Sequence, residues 1–239
     1  MKQHTFVAYA VLMLLGLAPS LVAVPIGGGN EGLQYLEGVY RFDRWRAGVY
    51  ANVMDREVEV DDSSMSGILT TERALTYVGY EILPWASGYL AAGMSKAKID
   101  PEDYDGGNFE YGGGLQFNLL DHDLMGPTLT EDRLRVNAGA QLTKAQGEIY
   151  GEDVEWLDFF SSLTVGLVND LTGDKFFVPD SISLYAGPAY SDLFGDVEAT
   201  TEFGLVAGLE IFWTEGVTFD LGYQYFEEDG FYAGVNFNF

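Results

Sequence analysis

The chain has 239 residues, of which 37 are acidic and 12 are lysine or arginine, so its formal net charge is -25. This acidity, with no compact lysine and arginine cluster, excludes nucleic acid as a natural partner because the surface repels phosphate. The absence of cysteine excludes zinc ribbons, disulfide frameworks and thiol catalysis. Glycine is abundant at 30 residues and aromatic residues make up 15% of the chain, which indicates a single all-β domain.

The N-terminus has the layout of a secretory signal peptide. Lys2 precedes an apolar run over residues 6–17, and small residues lead up to Ala23. We expect residues 1–23 to be cleaved and residues 24–43 to form an N-terminal periplasmic segment. A membrane anchor is the alternative, but the run is shorter than the roughly 20 apolar residues that a spanning helix needs.

From about residue 44 onward, apolar residues recur at every second position, which is typical of β-strands with two unlike faces. The pattern predicts strands near residues 44–57, 71–83, 86–97, 107–119, 132–144, 155–168, 181–191, 200–213, 217–226 and 230–239. Each is close to the roughly 9 to 11 residues with which a tilted strand crosses a bilayer. We therefore predict about ten strands, with eight or twelve as the alternatives.

The two unlike faces predict a barrel that closes within a membrane. In lipid every backbone N–H and C=O group must find a partner inside the protein, so an apolar-faced sheet has to close on itself. Short connections at residues 82–86 and 212–216 alternate with longer, mostly acidic loops at residues 55–66, 96–105, 144–155 and 191–198, as in up-and-down barrels. The prediction is an all-β, closed antiparallel up-and-down transmembrane β-barrel over residues 44–239. A soluble sandwich or barrel is the alternative, with Phe and Leu inside.

Aromatic residues near the predicted strand ends suit the girdles that mark the two membrane interfaces. We expect all four tryptophans to take part: Trp45, Trp85, Trp156 and Trp213.

The last strand carries the most specific pattern in the sequence. Its alternate apolar positions are Phe231, Ala233, Val235, Phe237 and Phe239. With the signal peptide and the repeated strands, it resembles the small outer-membrane β-barrel proteins of Gram-negative bacteria, whose last strand ends in this way. The resemblance implies a place in the bacterial outer membrane and contact with its lipid and lipopolysaccharide. It also implies that the barrel-assembly machinery reads these five positions during insertion. It fixes neither an activity nor an oligomeric state.

Catalysis is not expected from the histidines. Enzymes of the family that the chain resembles use a histidine as base or charge partner. His4 lies in the signal peptide, and His122 lies between Asp121 and Asp123 in a predicted periplasmic turn. We therefore expect no enzymatic activity, no cofactor and no bound metal.

The inward face of the predicted strands is polar and rich in charge. Strand parity places these ionised residues inside: Arg46, Glu81, Glu110, Arg135, Asp158, Glu202, Glu210 and Asp220. Because side chains nearly fill a barrel of about eight to ten strands, we expect a hydrogen-bonded plug with Arg46 and Arg135 as its hubs. The excess of carboxylates also permits a narrow cation-preferring channel. The sequence thus predicts a structural or porin-like envelope role.

Acidic residues in the longer connections offer a second hypothesis. They are Asp55, Glu57, Glu59, Asp61 and Asp62, then Glu102, Asp103 and Asp105, and finally Glu227, Glu228 and Asp229. Such a crown repels phosphorylated lipopolysaccharide unless divalent cations bridge the two. The alternative function is therefore surface adhesion or binding through acidic extracellular loops.

Overall fold

The structure is a computed structural model that describes residues 45–60, 65–99, 107–124, 131–149, 152–171, 179–214 and 216–239. The expected signal peptide and the segment 24–43 lie outside these residues. Within the described ranges, no helix has the length and apolar character needed to cross a membrane.

Ten long strands and one short strand account for nearly all described residues. They are β1 (Trp45–Val60), β2 (Met65–Leu83), β3 (Ala86–Lys98), β4 (Asn108–Leu124), β5 (Glu131–Ile149), β6 (Glu152–Asp170), β7 (Ser181–Gly195), β8 (Val197–Ala199), β9 (Phe203–Thr214), β10 (Val217–Phe226) and β11 (Glu228–Asn238). Each predicted strand corresponds to one long strand in chain order, so the prediction of about ten strands is confirmed. The short strand β8 was not predicted.

The sheet closes on itself through its first and last strands. Neighbouring long strands pair antiparallel in chain order, and β11 pairs with β1 from Arg46↔Asn238 to Met54↔Gly230. Further along β1, the short strand β8 becomes the neighbour over Val58–Val60. The predicted closed antiparallel barrel is confirmed. Its lower end is the one at which β1 begins and β11 ends, and its upper end carries β8.

Apolar side chains form a belt around the outside of the barrel. Phe203 and Leu205 on β9 are 75% and 60% exposed, whereas Asp220 on the adjacent β10 is 1% exposed. At the lower end, the exposed rings of Trp45 and Tyr80 contact each other with centroids 5.1 Å apart. This orientation is suited to lipid outside the barrel, and it is the opposite of the soluble alternative.

Above the belt, the two faces exchange their chemical character. On β1 the outward residues change from Val53 to the exposed Glu57, while the inward Val58 is completely buried. On β6 the outward Glu155 is exposed and its inward neighbour Trp156 is buried. Apolar inside and charged outside is the arrangement of a sheet that faces water. The barrel wall therefore continues beyond the membrane belt.

Two expectations change because of this extension, and a third changes at the lower end of the barrel. The pattern predicts polar loops at 55–66, 144–155 and 191–198, but the flanking strands reach to within a few residues of each other. Trp156 does not join a girdle: it has the same parity as the inward Asp158 and is 2% exposed. His122 lies in β4 and not in a turn, because that strand continues to Leu124.

Candidate functional site in the barrel interior

Most of the sequence-predicted interior residues are enclosed by the barrel. Arg46, Glu110, Arg135, Asp158, Glu210 and Asp220 are buried, and the side chain of Glu81 is 11% exposed. Glu202 is exposed instead, because it precedes the start of β9 at Phe203 and is not held in a strand.

Three further arginines lie in the interior that the sequence reasoning missed. Arg56, Arg73 and Arg133 are all buried. The alternation of inward and outward positions along each strand is the signal that identifies them. Arg56 lies an even number of residues from the inward Arg46 on β1, and Arg73 lies an even number of residues from the inward Tyr77 on β2. The interior charge is consequently close to balanced, and the expected large excess of carboxylates is mostly cancelled.

The lowest layer of the interior is built on arginine contacts. Arg46 donates from Nη1 to Oε1 of Gln116 at 3.2 Å, and its Nη2 lies 3.5 Å from Oε1 of Glu81. Arg135 donates from Nε to Oδ2 of Asp121 at 3.2 Å. Both predicted hubs therefore hold a carboxylate, which compensates for the loss of water around each buried charge.

Tyrosine rings fill the middle layer. The Tyr89 hydroxyl donates to Oε1 of Gln141 at 2.7 Å, and the Tyr185 hydroxyl donates to Oδ1 of Asp220 at the same distance. Inward glycines make room for such rings: a Cβ at Gly208 would lie 2.4 Å from the Tyr185 hydroxyl oxygen. The interior glycines therefore serve ring packing within a narrow barrel.

The upper polar layer contains a buried cluster of ions. Arg73 contacts Asp158 through Nη2 and Oδ2, and its Nε lies 3.5 Å from Oε2 of Glu110. Ser191 donates from Oγ to the second carboxylate oxygen of Asp158 at 3.4 Å. Arg56 in turn donates from Nη1 to Oγ of Ser191 at 2.8 Å. The cluster joins β1, β2, β4, β6 and β7 across the interior.

A cluster of buried apolar side chains, here named the seal, closes the interior above these ions. Its members come from seven different strands and are Val58, Leu69, Ala97, Ala145, Val154, Trp156, Leu193 and Val197. Three of them, Val58, Ala145 and Val197, have no exposed surface at all. The seal therefore excludes water from the upper end of the described barrel.

Side chains at every level of the interior are shielded from water. Val58 in the seal, Glu110 in the ion cluster and Gln224 in the middle layer are each 0% exposed, and Glu210 lower down is 1% exposed. A continuous water-filled pore would leave such lining groups accessible. In the described part of the chain, the interior is a packed polar core. That part also contains no group of three or more acidic or histidine residues arranged to hold a metal ion.

The five residues expected to guide assembly share the outward face of the C-terminus. Phe231 and Phe239 are 51% and 75% exposed, and Ala233, Val235 and Phe237 are partly exposed between them. The backbone N–H of Phe239 donates to the carbonyl of Trp45 at 3.0 Å.

The acidic residues expected in loops lie partly on the barrel wall. Glu57 and Glu59 are exposed on the outer face of β1, and Glu227 is exposed in the turn between β10 and β11. Asp61, Asp62, Glu102, Asp103 and Asp105 lie outside the described residues.

No family model and no curated protein sequence matches the chain. Among solved structures, it is similar to LpxR from Salmonella typhimurium, with 9% identity and a TM-score of 0.38 over 82% of this chain and 99% of that chain. It is also similar to the translocator domain of autotransporter NalP from Neisseria meningitidis, with 9% identity and a TM-score of 0.33 over 99% and 97% of the two chains. An outer membrane channel from Pseudomonas putida F1 has 9% identity and a TM-score of 0.34, over 84% of this chain and 96% of its own.

Identities and TM-scores this low transfer neither residue roles nor an activity to this chain. Its own geometry is more informative, because a closed antiparallel barrel with an apolar outer belt satisfies all its backbone groups in lipid. This is the architecture of a bacterial outer-membrane protein.

Proposed function

We propose that the protein is a non-conducting outer-membrane barrel with a structural role in the envelope, and that its upper end faces the cell surface. The observation that supports this most strongly is the seal of apolar side chains above the buried ion cluster. Ions crossing the barrel would have to displace both layers. The cost of placing an ion among Val58, Leu69 and Trp156 is high because a single indole N–H cannot replace its hydration shell.

A narrow cation-preferring channel is less well supported by the same geometry. Its selectivity would depend on excess interior carboxylate, and Arg56, Arg73 and Arg133 offset most of that excess.

Ion flux from vesicles tests the proposal. Purified protein is reconstituted in liposomes loaded with potassium, beside liposomes that contain an open porin and liposomes without protein. We expect potassium release at the rate of the protein-free vesicles. Faster release that favours cations over anions would support the channel and overturn the proposal.

Surface adhesion is the second candidate, and one arrangement of charges favours it. Glu59 on β1 lies directly opposite Glu198 on β8, and both are exposed beside Glu57. Divalent cations that bridge this wall to lipopolysaccharide phosphates would relieve the repulsion. If the protein is an adhesin of this kind, chelation of calcium and magnesium should release bound lipopolysaccharide. It should also increase cleavage of the upper end by protease. Unchanged binding and cleavage would reject it.

Two partners follow from the same proposal. Outer-membrane lipid would cover the apolar belt, and the barrel-assembly machinery would recognise the outward face of β11 during insertion. Both remain proposals that depend on the position of the chain in the membrane.

A further inference from the structure

A short segment of the chain completes the upper wall of the barrel. This segment, residues 195–201, is named the strap; it follows β7, contains β8 and leads into β9. The strand β1 pairs with β11 only as far as Met54, and β8 takes the place of β11 beside β1 from Val58 to Val60. The strap therefore closes a gap that the last three strands leave open.

The strap is weakly paired with the rest of the sheet. The strand β8 has only 3 residues, and its central pair sets Glu198 directly opposite Glu59. Like charges directly opposite each other on neighbouring strands destabilise the pairing. A single strap side chain, Val197, is completely buried in the seal. Besides Val197, only the small side chain of Ala199 among the strap residues packs against the seal, so apolar packing of the strap is limited to two side chains.

One buried arginine joins the last residue of the strap to the part of β7 that precedes the strap. Arg56 on β1 donates to Oγ of Ser191, which precedes the strap, at 2.8 Å, and to the carbonyl of Ser191 at 3.1 Å. It also donates to the carbonyl of Thr201, the last strap residue, at 2.7 Å. Its guanidinium lies over the Phe226 ring, 5.1 Å from the centroid. Charged hydrogen bonds of this kind are stronger than neutral ones.

The strap starts at a bend in the chain that requires glycine. Gly195 has φ +134, a conformation that residues with a side chain rarely adopt. Beyond it, the backbone N–H of Asp196 donates to the carbonyl of Glu155 at 3.1 Å, and that of Thr200 donates to the carbonyl of Glu57 at 3.1 Å. Side-chain bonds add to these contacts: Asp196 accepts from the N–H of Glu155 at 2.8 Å, Thr200 donates from Oγ1 to the carbonyl of Glu57 at 2.9 Å, and Thr201 donates to Glu227. These exposed polar bonds can be exchanged for bonds to water when the strap moves, whereas the buried contacts of Arg56 cannot.

We propose that the strap is a gate over the upper interior and that Arg56 is its latch. When the contacts of Arg56 are lost, the strap swings about Gly195, Val197 leaves the seal, and the upper interior opens to solvent. This inference rests on the proposed function, because a gate has meaning only in a barrel that is otherwise closed. The gate works by a shift of the strap between a closed and an open position.

Thiol labelling tests the gate, because the chain contains no cysteine of its own. The reporter is Ala145→Cys, at a fully buried position in the seal, and the always-accessible control is Asp153→Cys on the exposed wall. Both are treated with a charged, membrane-impermeant thiol reagent, in proteoliposomes with the upper end outside. Adding Arg56→Ala should speed labelling of the reporter by about tenfold or more, since a lost buried charged donor shifts local opening by at least a decade. Labelling of the control should not change.

A strap that is locked by a disulfide distinguishes opening of the gate from a general loss of barrel stability. Glu59→Cys with Glu198→Cys joins the strap to β1 by a disulfide at two exposed, directly opposed positions. The disulfide should slow labelling of the Ala145→Cys reporter in the background that retains Arg56, and it should reverse the effect of Arg56→Ala. If the lock leaves the labelling rate unchanged in both backgrounds, the strap is not a gate. The comparison with Arg56 retained stands even if Arg56→Ala fails to fold.

The two proposals fail in different ways. Potassium release by the unmodified protein would contradict the closed barrel. If the protein releases no potassium, but the labelling rate of the reporter depends neither on Arg56 nor on the disulfide, only the gate is contradicted.

Discussion

Asp158 and Trp156 occupy successive inward positions on β6, and the barrel interior changes from polar to apolar between them. Asp158 is paired with Arg73, whereas Trp156 packs in the seal. On the outer face of the same strand, the apolar belt gives way to the exposed Glu155. The chain thus builds two stacked cores, one suited to a wall in lipid and one to a wall in water.

Replacing Trp156 with alanine should leave a cavity in the seal. A buried tryptophan truncated to alanine costs about 3–5 kcal/mol of unfolding free energy, because the cavity is only partly filled by its neighbours. Urea unfolding in detergent or vesicles, followed by heat-modifiable migration on gels, measures the change. Trp213→Ala is the matched control: this ring is 41% exposed and contacts the Phe219 ring, so its loss should cost less than about 1.5 kcal/mol. Equal effects of the two substitutions would show that Trp156 is not a core residue.

The buried ion cluster should be sensitive to removal of its cation. Arg73→Met leaves Asp158 and Glu110 without their arginine partner, and an uncompensated buried charge costs about 3–5 kcal/mol. Lys98→Met removes the cation of an exposed pair with Glu72 at 3.9 Å, which should cost about 0–1 kcal/mol. The same unfolding assay compares them. A cost for Arg73→Met as small as that for Lys98→Met would indicate that water reaches the cluster.

The positions of the long strands follow from the sequence because alternation with a period of two is present in most of them, whereas the glycine-rich strands β3 and β4 show it only in part. The parity of β9 was read from Phe203 and Leu205, and both side chains are outside. The same rule identifies Trp156 as inward, since it lies two residues before Asp158. The acidic residues before Trp156 instead indicate a loop up to residue 155, which puts Trp156 at a strand end, where a girdle ring is expected. In fact, acids at every second position mark an outer face that has left the lipid.

Other features of the fold leave no periodic pattern in the sequence. The strand β8 has 3 residues, too few for a periodic pattern, and its neighbour β1 is far away in the sequence. Ion partners such as Arg73 and Glu110 are set by the stagger between strands, which depends on how the whole barrel closes. The latch contacts of Arg56 depend on the path of the strap and were not predicted.

A charge on the outer wall should distinguish the belt from the extension above it. Leu90 is 75% exposed and lies beside Val78 in the belt, so Leu90→Arg should cost about 2–4 kcal/mol in a bilayer. Ile68 is also exposed, at 47%, but lies opposite Glu57 above the belt. Ile68→Arg should therefore be close to neutral in the same vesicles. If Ile68→Arg cost more than Leu90→Arg, the membrane belt would lie at a different height on the barrel from the one assigned.

The terminal phenylalanine should matter for assembly more than for stability. Phe239 and Phe203 are both 75% exposed on the outer face, so their truncation to alanine removes comparable lipid contact. Only Phe239→Ala alters the expected assembly signal. In vesicles that contain the barrel-assembly machinery, we expect Phe239→Ala to insert more slowly than Phe203→Ala. Without that machinery, the two variants should fold at similar rates. Equal rates in both settings would remove the assembly role.

The closed interior is tested most directly by single-molecule conductance of the unmodified protein in planar bilayers. The geometry predicts a flat baseline at moderate voltage, because the seal and the ion cluster leave no water path between Val58 and Glu110. Stable, cation-selective current steps from protein whose insertion is verified would contradict it.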